Sequence, residues 1–85
     1  MRLDKFLQVS RLVKRRAVAK EICDRGRVMV NGQPTKAGKE LSVGDTLSIS
    51  FGGENRIVCR VLEIPSGHVP KAKAPTLYQE IGEGK

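Results

Sequence analysis

The chain has 85 residues, 39% of them hydrophobic and 4% aromatic, with no Trp. That composition allows one domain with a modest core, leaves little room for a deep substrate pocket, and gives too little aromatic surface for a base-stacking sheet. The formal charge of +7 is one-sided: residues 1–36 hold ten basic and three acidic side chains, whereas residues 37–85 hold six of each, so a positive face turned toward a polyanion is expected.

Leu3, Phe6 and Leu7 fall at i, i+3 and i+4, which predicts a helix over residues 2–9 with Arg2 and Lys5 off its apolar stripe. Asp4 lies in the first turn, where a carboxylate suits the helix dipole. The polar, basic stretch from Ser10 to Arg15 breaks the pattern. A second helix is predicted over residues 15–24, because Ala19, Ile22 and Cys23 repeat the same spacing. Arg16 and Lys20, four apart, share one of its faces. Gly26 suits the left-handed position that ends a helix.

From Val28 the period changes to two. Val28-Met29-Val30 runs into Asn31-Gly32, a strong hairpin signal, and Pro34 marks a kink or loop. Gly44-Asp45 is a second turn. Leu47, Ile49 and Phe51 alternate with Thr46, Ser48 and Ser50 and predict a half-buried strand. After Gly52-Gly53, residues 56–64 read as a further strand with Ile57, Cys59 and Val61 on one face. Residues 65–76, with three prolines, read as an extended, mobile segment, and Leu77, Tyr78 and Ile81 as a short terminal turn that packs back. Gly82 and Gly84 argue against a long final helix. The expected architecture is α+β: two N-terminal helices packed on a small antiparallel sheet of three or four strands, with residues 1–64 as the domain and residues 65–85 as a short C-terminal tail.

Several function classes find no support. There is one His, His68, far from two separated cysteines, and no phosphate-cradling glycine motif, so no catalytic residue, cofactor or metal site is expected. Cys23 and Cys59 are expected as reduced thiols, Cys23 in the core; a disulfide between the two is the alternative. No apolar run is long enough for a membrane span or a signal peptide, so no membrane partner and a cytoplasmic location are expected. His68 is expected to be without a role, and Tyr78 to pack rather than stack on a base.

Arg2-Leu3-Asp4-x-x-Leu7, then Arg16-x-x-Ala19, then Ile22 and Gly26 ahead of Val28-x-Val30-Asn31-Gly32, then Val43-Gly44-Asp45, form an ordered set over about residues 2–51. Together they resemble the RNA-binding domain first described in small-subunit ribosomal protein S4, with its αL motif. Among stand-alone members, the opening MRLDKFLQVSRLVKRRAVAKE is most similar to the bacterial group typified by ribosome-associated quality-control protein P, and also to the related heat-shock protein of fifteen kilodaltons. The resemblance implies a non-enzymatic factor that binds stalled large ribosomal subunits through large-subunit rRNA and peptidyl-tRNA. It would support an alanine-tailing quality-control factor in extending the nascent chain with C-terminal alanines. A general ribosome-assembly or heat-shock RNA-binding protein is the alternative; that group usually carries a long basic C-terminal extension, and the short near-neutral end here favours the first reading.

Arginine and lysine suit such a partner, because each neutralised phosphate releases counterions and the arginine fork matches phosphate oxygens. The expected RNA contacts are Arg2, Lys5, Arg11, Lys14, Arg15, Arg16, Lys20 and Arg27, with Arg16 the principal one and Lys36 extending the face along the hairpin. Free N–H groups at the start of the second helix offer a further anion site. Asp4 is expected to orient Arg2 or Arg16, or to bond RNA hydroxyls directly. Asn31-Gly32 is read mainly as turn chemistry, with a backbone contact to RNA as the lesser alternative.

Overall fold

The computed structural model describes residues 1–82. Helix α1 spans Leu3–Val9 and α2 Arg16–Asp24. The strands are β1 Val28–Val30, β2 Gln33–Pro34, β3 Thr46–Gly52, β4 Asn55–Val61 and β5 Tyr78–Gly82, with a 3₁₀ helix over Lys71–Leu77 between the last two. The strands form one sheet in the order β2-β1-β3-β4-β5, antiparallel throughout. The expected α+β arrangement of a helix pair on a small antiparallel sheet is the one found.

Alternation along the strands decides where the core lies. Val28, Val30, Leu47, Ile49, Cys59 and Val61 are buried on one sheet face. Leu3, Phe6 and Leu7 of α1 and Ala19 and Cys23 of α2 close over them. Burial of a Leu or Phe side chain contributes about 1.5–3 kcal/mol, which is what holds helices of seven and nine residues that are too short to persist alone.

The ends of α1 are completed by distant residues. Leu3 N–H donates to the Lys39 carbonyl at 2.8 Å and Asp4 N–H to the Ala37 carbonyl at 3.1 Å, so the loop after β2 accepts two of the donors that every helix start leaves unpaired. At the other end Arg11 takes φ 66°, a left-handed conformation rare for a side-chain-bearing residue. It is over-determined: Val13 N–H donates to the Leu7 carbonyl at 3.0 Å, buried Ser10 Oγ reaches the same carbonyl at 3.2 Å, and Val13 is buried.

Asn31 does more than turn the chain. With φ 53° it starts the β1–β2 hairpin, and its side chain then spans to the next turn. Asn31 Nδ2 donates to Asp45 Oδ1 at 3.2 Å, and Asn31 Oδ1 accepts from Thr46 N–H at 3.0 Å. Asp45 Oδ2 in turn accepts from Ser42 N–H at 2.9 Å. The Asn-Gly and Gly-Asp turns are thus one hydrogen-bonded unit.

Two expectations are corrected. Phe51 does not continue the buried alternation of β3: the register shifts between Ser50 and Gly52, and Phe51 is 41% exposed. Residues 65–76 are not an extended mobile segment throughout, and residues 77–81 are not a terminal turn. Val69, Ala74 and Leu77 enter the core, and Tyr78–Gly82 pair with β4 as a fifth strand, so the sheet crosses the boundary expected at residue 64. The physical reason is the open edge of β4, whose backbone groups need partners. Leu62 N–H donates to the Leu77 carbonyl at 2.8 Å, and the short 3₁₀ turn carries Ala74 and Leu77, three apart, over the core end. Gly84, also invoked against a terminal helix, lies outside the described residues.

Both cysteines are free and buried. Burial pushes the Cys23 and Cys59 thiols up to about 11, with Asp4 and Asp24 adding for Cys23 and Glu80 for Cys59. Because the folded value lies above the ordinary 9.0, the thiols contribute stability that is whole below pH 9 and is lost as pH rises toward about 11. At pH 8 a thiol reagent should therefore modify the native protein only at its opening rate; rapid labelling of either cysteine would contradict their burial. Leu77→Ala should lower the unfolding free energy by about 2–4 kcal/mol in urea titration. A loss under about 0.5 kcal/mol, the level of a surface substitution, would mean that the C-terminal segment is not part of the core.

Candidate nucleic-acid interface

The site is built around one carboxylate. Asp4 sits in the first turn of α1 with its side chain only 4% exposed. A buried carboxylate must be paired or hydrogen-bonded, and this one is paired twice. Arg2, just before α1, places Nε 3.3 Å from Asp4 Oδ1 and Nη2 3.5 Å from Oδ2. Arg16, the first residue of α2, places Nε 3.3 Å from Oδ2. Lys5 N–H donates to Oδ1 at 2.8 Å. The two arginine side chains remain half exposed, at 50% and 47%.

Chemically this is a pre-organised cation pair. Two arginines held side by side would repel; the shared carboxylate offsets that and fixes both forks. Each guanidinium has five N–H donors, and Arg16 meets Asp4 through Nε, so the four donors of its terminal nitrogens are not spent on that carboxylate. Arg2 is also backed by main chain: a Cβ added at Gly38 would lie 3.7 Å from its Nη2, so the guanidinium rests close against that glycine. The same loop carries the exposed Lys36 and Lys39. Lys39 was not singled out from the sequence. Only the long-range closure of its loop on α1 brings it here, and no local pattern signals that.

The other expected contacts divide into groups. Lys20 follows Arg16 by one turn of α2 and is exposed, on the flank of the face that buries Ala19 and Cys23. Arg15 is the N-cap of α2 with no side-chain cap bond, and Lys14 and Arg15 are both exposed. The N–H groups of the first turn of α2 are therefore left open beside the arginines. Lys5 and Arg11 lie on another side of α1, where they line a shallow groove of about 330 Å³ with Gln8 and His68. His68, expected to be without a role, is thus a neighbour of two of the cations. Arg27 stands apart: its Nη1 lies 3.7 Å from where a Cβ on Gly52 would be, at the β3–β4 hairpin.

Among the described residues no group of three His, Cys, Asp or Glu side chains is placed to hold a metal ion. No helix is long and apolar enough to cross a membrane.

Residues 1–47, which contain α1, α2, the first hairpin and the loop that closes on Arg2, match the S4 domain family. The chain is 49% identical over 79 residues to the RQC P-site tRNA stabilizing factor of Halalkalibacterium halodurans, covering 93% of this chain and 88% of that one. It is 37% identical over 83 residues to Heat shock protein 15 of Escherichia coli, of whose length it spans 62%. The trimeric structure of Vibrio cholerae Heat Shock Protein 15 superposes with a TM-score of 0.84 at 29% identity, over 94% of this chain and 80% of that one.

The double pairing of Asp4 has a measurable consequence. Asp4→Asn keeps the shape and removes the charge that both arginines share, and should cost about 1–3 kcal/mol of stability. In a double-mutant cycle with Arg16→Ala the two losses should be less than additive, since either change breaks the same contact. Full additivity would show that the Asp4–Arg16 pair carries no energy.

Proposed function

The chain belongs to the S4 domain family, and from that footing we propose that it is a non-enzymatic RNA-binding factor of ribosome-associated quality control. It binds stalled large ribosomal subunits through rRNA and peptidyl-tRNA, and supports C-terminal alanine tailing of the nascent chain by a partner factor. The observation that carries this reading is the Arg2–Asp4–Arg16 group, two half-exposed arginine side chains fixed by one buried carboxylate. Folded RNA is read more through its backbone and shape than through base edges, and fixed bidentate donors suit that task.

The names of the relatives support the choice of the ribosome as the particle. A near full-length match to a protein called an RQC P-site tRNA stabilizing factor favours a role in holding tRNA in the peptidyl site. Arg16 acts as the principal contact, with Arg2, Arg15 and Lys20 beside it on RNA phosphates. Lys14 adds charge at the helix junction, and Lys5 and Arg11 extend the contact along the α1 groove. A ribosome of the cytoplasm is the corresponding location.

A second reading, a heat-shock or assembly factor that binds ribosomal RNA generally, draws on the likeness to the Heat Shock Protein 15 structure. It is the weaker one, because identity to the Escherichia coli protein is 37%, against 49% to the Halalkalibacterium halodurans factor.

Sucrose-gradient sedimentation separates the two. The wild-type protein should travel with large subunits that carry peptidyl-tRNA, and Arg16→Ala, sedimented at a temperature where it is folded because it also loses the Asp4 pair, should remain near the top of the gradient. Binding to such subunits should also lose about 0.7–0.9 from the slope of log K against log salt for each phosphate contact removed. Co-sedimentation with precursor particles, or with subunits lacking tRNA, would favour the second reading; unchanged association of the variant would remove Arg16 from its assigned role.

A further inference from the structure

The sheet has a second face. The core lies against one side of the pleat, and the residues that alternate with it point the other way, where no described element covers them. That face is cationic. Ser50 N–H donates to the Arg27 carbonyl at 2.8 Å, which carries the β1–β3 register one residue beyond Val28↔Ile49, and Ser50 pairs with Arg56 on β4. Arg27, Ser50 and Arg56 therefore form one row across three strands. Two rows along, Arg60 pairs with Thr46. Between these rows Ser48 pairs with Val58, and both are half-buried.

Strand spacing puts Arg27 and Arg56 about 10 Å apart across Ser50, and Arg56 and Arg60 about 13 Å apart along β4. All three arginines are exposed, and among the described residues none is within ion-pair distance of a carboxylate. This contrasts with Arg2, Arg16 and Arg25, each of which has an acidic partner. The charges flank a floor of hydroxyls and small apolar surface, and at its Arg56 end the exposed Phe51 ring and Glu54 line one groove with that arginine.

From this arrangement we infer that the open sheet face is a second RNA-binding surface, one that takes a phosphodiester backbone, with Arg27, Arg56 and Arg60 on phosphates and Ser48, Ser50 and Thr46 within reach of ribose hydroxyls. Charge complementarity selects the occupant. Unpaired arginines rooted on the scale of alternate phosphates, beside hydroxyl donors, match a polyanionic strand, and contacts to phosphate and ribose are ones of position rather than sequence. The surface is distinct from the helix-pair site, so the domain carries two RNA contacts on different faces.

The test uses the full chain and a short labelled single-stranded RNA. Arg56→Gln/Arg60→Gln should weaken binding about tenfold or more at low salt and reduce the salt slope by about 1.4 (~0.7 per contact). Arg56→Lys/Arg60→Lys should restore most of both. In an Arg2→Gln/Arg16→Gln background, residual binding should disappear when the sheet pair is also changed. Independently of any variant, RNA added to the wild-type protein should shift the amide resonances of Ser48, Ser50, Val58 and Arg60. Unchanged affinity and slope in the glutamine pair, with shifts confined to α1, α2 and their loop, would overturn the inference. So would equal binding of poly-glutamate, which would assign the face to an acidic protein. Loss of RNA binding in Arg16→Ala but not in the sheet variants would sink this surface and leave the proposed function standing; the converse would leave this surface and remove the helix-pair reading.

Discussion

The carboxylate of Asp4 cannot be left alone where it lies. With its side chain 4% exposed it needs positive partners, and it takes them from two segments: Arg2 ahead of α1 and Arg16 at the start of α2. Breaking such a group strands a buried charge, so the relative placement of the two helix starts is held by an electrostatic requirement as well as by packing. The loop after β2 is drawn into the same arrangement, because its carbonyls complete the first turn of α1 and Gly38 backs the Arg2 guanidinium. One interaction thus links helix entry, loop closure and the display of cations.

The rest of the fold supplies a stiff base for that constellation. A small domain buries a limited fraction of its surface, so each closure counts. The Asn31–Asp45 unit locks the first hairpin to the turn before β3, and the C-terminal 3₁₀ turn and β5 cover the far edge of β4. These contacts are long in sequence and lie away from the Arg2–Asp4–Arg16 group, yet without them the sheet face that seats α1 and α2 has no defined register.

Charge in the chain and charge in space are different quantities. Counted along the sequence, residues 37–85 are neutral. On the pleated sheet the same residues are sorted by face: Arg56 and Arg60 sit on the open side, while Glu63 is paired with Lys73 and Glu40 with the N-terminal amine. A sum over a segment averages what alternation separates, which is why a half with no net charge presents a cationic surface.

Much was legible before the fold was known. The 3.6-residue spacing of Leu3, Phe6, Leu7, Ala19 and Cys23 and the two-residue spacing of Val28, Val30, Leu47 and Ile49 depend only on backbone periodicity, so the helix pair, the central strands and their buried faces followed from the residues alone. The family followed from the ordered motif. What the tertiary structure decided was every relation between segments far apart in sequence: Asp4 shared by Arg2 and Arg16 together, Lys39 brought beside them, His68 set opposite Lys5 and Arg11, and Arg27 sent to the sheet face. It also decided the fate of residues 71–82. Prolines and lysines around Ala74 and Leu77 hide any local period, and a strand there has no reason to form until the unpaired edge of β4 is present to receive it.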